Sequence, residues 1–371
     1  GIGFAPCEPN DAAHDRLIAV VEDVEDIPGA ALHEGVDWTW ESFPEYLDAV
    51  EKFPRAIDVG AQVPHCAVRT YVMGERGSNN EPATAEDVEQ MAAIVKEGLE
   101  VGALGFTTSR TELLTTRDDA VMPGTYADEN ELLGIGKVIG ELGGKGIFGL
   151  VSDFSDWRQE MDWMKRLSID NNCQINFVLF FREESDWDRV LQQLDFCRAA
   201  NAEGAQLIPH VGARPVNILL SWDGTINPFS FHANYAPLSV MSHEDRLAEL
   251  RKPEVRAALL AEDEPAMGDE FMDTILSGWD KLYELGNPPN YEPAPEDSIA
   301  AQAAAAGVPP REYCFDLMMK NDGKNVIYFP CFGYGANDLS RQVALLEDDS
   351  TVISLADTGA HCGVLCDASV P

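Results

Sequence analysis

The sequence predicts an α/β fold whose strands run parallel and curl into a barrel. Short apolar, β-branched runs alternate with longer segments of helical spacing from about Ala56 to Pro215. That alternation is the pattern of a parallel sheet flanked by helices, and its many repeats point to a barrel. Several runs end in a polar or charged residue: Arg110, Asp153, His210 and, after the apolar residues 352–355, Asp357. Parallel α/β proteins place their chemistry at the carboxyl ends of their strands. The length of 371 residues is long for an ordinary domain but normal for an α/β barrel with insertions.

Taken in order, residues 11–24 set Leu17, Val21 and Val24 at helical spacing and stop near Ile27-Pro28-Gly29. Residues 38–53 carry an aromatic stripe, read as core, with Pro44 near a helix start. Residues 56–63 predict a strand. It leads into residues 64–74, where His65 and Arg69 stand out as polar groups in an apolar stretch. Thr84-Ala85-Glu86-Asp87 has the form of a capping box, and Val88, Met91, Val95 and Leu99 mark the face of the helix behind it. Residues 102–110 are Gly-rich and β-prone and end in Thr107, Thr108, Ser109 and Arg110, donors suited to an anion. Further strands are predicted at residues 146–153, 175–181 and 205–215, the last bearing His210 and Arg214. Helices are predicted at 129–142, 155–167 and 187–200.

From Ser221 to about Asn325 the alternation breaks. Residues 222–324 are read as an insertion within the barrel, of the kind that builds a lid or an oligomer contact. It contains a charged helix at 247–260 and an Ala-rich helix at 296–306; His232 and His243 within it are read as non-catalytic. Residues 325–330 resume the strand pattern, and residues 352–355 predict a last, buried strand. Residues 1–6 read as the exit of a strand, so the chain is expected to be a fragment of a longer protein.

Acids number 64 against 26 bases, a net charge of −38. Such a field repels nucleic acid and anionic membranes, and neither is expected as a partner. No apolar run approaches the roughly 20 residues of a membrane span, and no signal-peptide pattern is read. The eight cysteines form no C-x-x-C pair; they are read as reduced, buried thiols in a cytoplasmic protein.

Five stretches occur together in order and spacing: Gly1-Ile2-Gly3-Phe4-Ala5-Pro6, His65 to Gly74, Ala83-Thr84 with its helix, Gly102 to Ser109, and Ser354 to His361. Together they resemble the N-acyl-D-amino-acid deacylase (D-aminoacylase-like) branch of the amidohydrolase superfamily. The resemblance implies a metal-dependent (β/α)8 TIM barrel, here spanning residues 1–371 and lacking its first strand and its small β-sandwich. It implies hydrolysis of the linear amide of an N-acyl-D-amino acid, with one or two divalent metals, expected as Zn2+. Asp357 matches the catalytic aspartate, general base toward metal-bound water and then proton donor to the leaving amine. The family's His-x-His does not occur in this chain, and its two middle-strand histidines are replaced in the runs Leu150-Val151-Ser152-Asp153 and Val178-Leu179-Phe180-Phe181. Asp153, His210 and His65 are then the candidate metal ligands. Arg69, Ser109, Arg110, Arg214 and His361 are the candidate substrate-binding residues, the guanidinium fork being suited to a carboxylate. The alternative is a barrel homologue whose metal site is lost or remodelled and which serves as a binding or scaffold protein. Oligomeric state is left open.

Overall fold

The computed structural model describes residues 1–116, 120–265, 267–268, 270–354 and 360–364. The chain divides into two compact units. The first comprises Gly1–Leu179, Asp188–Val211 and Asp348–Val352; the second comprises Phe180–Trp187, Gly212–Glu347 and Ile353–Pro371.

The first unit is built on parallel strands β1 (Val63–Pro64), β2 (Gly105–Arg110), β3 (Ile147–Ser152), β4 (Gln174–Val178) and β5 (Leu207–Val211). They neighbour one another in sequence order, and the two-residue strand Val352–Ile353 follows β5 in the same sheet. This is the parallel α/β arrangement of the barrel class; among the described residues the sheet does not close on itself. The crossovers are helical, over Ala85–Glu100, Glu129–Glu141, Trp157–Asn171 and Trp187–Ala202. Local chemistry explains where they start. Thr84 Oγ1 accepts the Asp87 N–H at 3.2 Å, and Asp87 Oδ2 accepts the Thr84 N–H at 2.8 Å, the reciprocal pairing of a capping box. Ser42 and Glu45 do the same for Phe43–Lys52, with Pro44 in its first turn. One face of β2 and β3 is packed by rings against these helices: Phe106 lies 5.1 Å from Phe148, and Phe148 lies 5.8 Å from Trp163.

Two strand expectations are corrected here. Of residues 56–63 only Val63 pairs, together with Pro64. Ile57 and Val59 are 76% and 53% exposed, because Asp58 and Gly60 interrupt the run and both types are poor strand formers. Val352 and Ile353 do form a strand, but both side chains are exposed rather than buried.

The second unit holds an antiparallel sheet in the order β6 (Val216–Leu220), β8 (Ile327–Phe332) and β7 (Tyr283–Glu284). The expectation that residues 325–330 continue the parallel sheet is therefore corrected: β8 runs antiparallel to β6 and β7. The single helix expected over 247–260 is two, His243–Leu250 and Pro253–Ala261. Pro253 has no N–H to donate and starts a helix instead of continuing one. The core of this unit gathers Trp222, Phe229 and Phe315, with rings 5.3–5.7 Å apart.

Beside that core His232 is 2% exposed, and neither ring nitrogen has a hydrogen-bond partner. Burial lowers its pKa; Arg311 adds to the effect, and Glu262 and Glu264 oppose it. The folded-state pKa is thus below the unfolded value of about 6.5. Stability from the neutral ring is present above that value and is lost as pH falls through it toward the folded pKa. Urea titrations at falling pH are expected to destabilise the wild type more than His232→Phe. A gap between the two that stays constant from neutral to acid pH contradicts this reading.

Candidate active site

The carboxyl ends of β1 to β5 share one edge of the sheet, and the sequence-derived candidates of the first unit sort along it onto two faces. Thr107, Gly149, Asn176 and Ile208 are register partners in turn across β2 to β5. Side chains alternate along a strand, so Ser109 and His210, two residues further on, share their face. Phe106, Thr108 and Arg110 lie on the opposite face, against the helices.

His65 and Arg69 belong to the helix side. His65 opens the helix His65–Met73 directly after β1. Its Nδ1 is 2.8 Å from Thr108 Oγ1, and its Nε2 is 2.9 Å from Glu131 Oε1. Arg69 donates to the same carboxylate through one nitrogen, at 2.6 and 2.7 Å to its two oxygens. It also donates to the carbonyls of Gly77 and Glu81. All three side chains are at most 2% exposed. Burial alone would raise the Glu131 carboxyl, but the hydrogen bonds from His65 and Arg69, together with the Arg69 charge, outweigh it and hold the pKa below the ordinary value. Burial lowers the His65 pKa. The ring is therefore neutral, with Nε2–H donated to Glu131 and Nδ1 accepting from the Thr108 hydroxyl. Gly124 makes room for the ring: its φ is +98°, and a Cβ there would stand 2.7 Å from His65 Nδ1.

Arg110 is also committed on the helix side. It grips Glu160 with Nε at 3.0 Å and a terminal nitrogen at 2.7 Å, and its third nitrogen donates to the Ala127 carbonyl at 2.7 Å. On the other face, Ser109 Oγ accepts from the Gly1 amino group. His210 pairs in register with Val178 and is half-buried, which lowers its pKa. Asp153 follows β3 and is exposed; its Oδ1 accepts from Thr111 Oγ1 at 2.5 Å and its Oδ2 from the Glu112 N–H at 2.8 Å. In the second unit the Arg214 guanidinium stands 4.3 Å from the Tyr291 ring centroid, and His361 is half-buried with φ +57°. Asp357 lies outside the described residues.

The structure thus brings His65 and Arg69 together, but onto Glu131. The implied metal does not fit the described donors. Both nitrogens of His65 are engaged, and among the described residues no three His, Cys, Asp or Glu side chains gather to hold an ion. Sequence reading missed Glu131 and Glu160. Glu131 did leave a signal: it sits one helical turn before Ile135 and two before Ile139, on the buried stripe of its own helix.

This chain belongs to the amidohydrolase family, whose model matches residues 8–370. It is 32% identical over 77 residues to the D-aminoacylase of Alcaligenes xylosoxydans xylosoxydans, a match covering 21% of this chain and 15% of that protein. Among solved structures it is similar to the N-acyl-D-glutamate deacylase of Bordetella bronchiseptica, described in complex with zinc and a phosphonate inhibitor. That likeness has a TM-score of 0.46 at 15% identity and covers 85% of this chain and 51% of the other. It is also similar to a D-aminoacylase described as having a binuclear metal centre, with a TM-score of 0.48 at 15% identity over 90% of this chain and 55% of that one. The chain spans about half the length of these solved structures.

Proposed function

We propose that the protein hydrolyses the amide C–N bond of N-acyl-D-amino acids, releasing a carboxylate and the free D-amino acid. Family membership over residues 8–370 is the observation that carries the reading. In it, Asp357 takes a proton from the attacking water and returns it to the departing amine. Ser109 is the substrate-side candidate of the first unit, as Arg214 and His361 are of the second; Arg69 and Arg110, held by Glu131 and Glu160 on the helix side, are withdrawn from that role. Asp153 and His210 remain the donors proposed for a divalent metal, expected as zinc; His65, with both ring nitrogens engaged on the helix side, is withdrawn as a ligand. Since the described donors do not make a complete site, no step is derived through that ion. A cytoplasmic home is part of the same reading; the seven described cysteines are all unpaired thiols. No helix among the described residues is long and apolar enough to cross a membrane.

The test is amine release by the full-length protein from paired N-acetyl-D- and N-acetyl-L-amino acids, before and after chelation and zinc re-addition. Hydrolysis of the D series, lost on chelation and restored by zinc, is expected. Failure to cleave any N-acyl-D-amino acid under these conditions would end the proposal and leave the binding or scaffold role.

A further inference from the structure

The second unit contains a cavity of about 220 Å³ that the site above does not use. At roughly 30 Å³ per water, it has room for a molecule the size of an amino acid. Arg182 lines it. The Arg182 guanidinium carbon stands 5.0 Å from the Phe332 ring centroid and 5.6 Å from that of Phe271. Two aromatic contacts fix the group, and such contacts are worth most where water is excluded.

The acids next to Arg182 in sequence are already taken. Glu183 is paired with Lys281, and Glu184 with Arg341. Asp186 Oδ2 accepts the Arg182 backbone N–H at 2.9 Å. Among the described residues the Arg182 side chain itself has no carboxylate partner. The cavity wall also carries Glu183, Asp280 and Lys281. With Glu183 taken by Lys281, Arg182 is the cation left on the wall for an incoming anion, and Asp280 is a carboxylate that such an anion must avoid. Tyr283, Phe329 and Tyr334 add apolar wall to the same cavity, and Thr274 and Asn337 add polar groups.

We propose that this cavity binds a small organic carboxylate, with its anionic end on the Arg182 guanidinium and its apolar part against Phe329 and the tyrosines. Two parallel N–H···O bonds from one guanidinium to one carboxylate are the geometry that makes arginine suited to this task. The inference does not rest on the deacylase reading and holds for a catalytically silent protein as well.

Calorimetric titration of the full-length protein with benzoate, and with uncharged benzamide as its near-isostere, tests it. Saturable benzoate binding is expected, at least about tenfold tighter than benzamide, since a hydrogen bond to a charged partner is worth that much or more. Arg182→Gln is expected to remove the preference for benzoate, and Arg182→Lys, which keeps the charge but not the fork, to retain part of it. Equal affinity of the wild type for the two probes, no saturable benzoate binding, or an unchanged preference in a folded Arg182→Gln protein each overturns the proposal. The first two outcomes need no variant, so misfolding of a variant does not shelter it.

Discussion

Replacing Glu131 by Ala is expected to destabilise the first unit by about 3–5 kcal/mol, the cost of removing one partner from a buried ion pair. The reason is what remains. Arg69 would keep its charge in a site where it is 1% exposed, with only the Gly77 and Glu81 carbonyls as acceptors. His65 would lose the acceptor for its Nε2–H. Replacing both charged partners together, Arg69→Met with Glu131→Leu, is expected to recover much of the loss, because it removes the uncompensated charge rather than exposing it. Denaturant unfolding should be followed with a probe local to the first unit, since two units need not unfold as one. A loss below about 1 kcal/mol for Glu131→Ala would show that the cluster is solvated in a way its burial does not suggest.

The largest expected effect on activity is at Asp357. Asp357→Asn keeps the side chain's size and removes its basicity. Under the deacylase reading, kcat of the full-length protein should fall on the order of a hundred-fold or more, the usual worth of a positioned acid–base group. Melting temperature and KM should change little. The opposite pattern, a lowered melting temperature with kcat nearly intact, would assign Asp357 to loop capping instead and remove the base from the mechanism.

Much of the scaffold was legible because it is written in local chemistry. Thr84 with Asp87 needs only three residues of separation to announce a helix start, and β2, β3 and β5 carry enough apolar and β-branched content to be read singly. Residues 327–332 have the same content, yet their direction against β6 depends on partners more than a hundred positions away. Ile57 and Val59 illustrate the converse, apolar residues in a run that nothing covers. The site was harder to read for a physical reason. His65 and Arg69 stand out in the sequence as polar groups in an apolar stretch and Arg110 as a donor at a strand end, but polarity in such places signals either chemistry or an ion pair. What decides between them is a carboxylate on another element, Glu131 or Glu160, and its approach is a tertiary fact. Arg182 escaped notice because it stands next to three acids in sequence, Glu183, Glu184 and Asp186, and so reads as an ordinary member of a charged loop.

The antiparallel pairing of β6 with β8 has a consequence for the order in which the protein is made. In the first unit each of strands β2 to β5 finds its neighbour one crossover earlier, so that sheet can grow as the chain emerges. Leu220 must wait for Ile327, its partner in the second sheet, and closing so long a loop costs more entropy and time than a local contact. During synthesis the edge of β6 is therefore exposed while more than a hundred further residues are added. Unpaired strand edges are where nascent chains stick to one another, which makes the second unit the part of this protein most dependent on assistance while it folds.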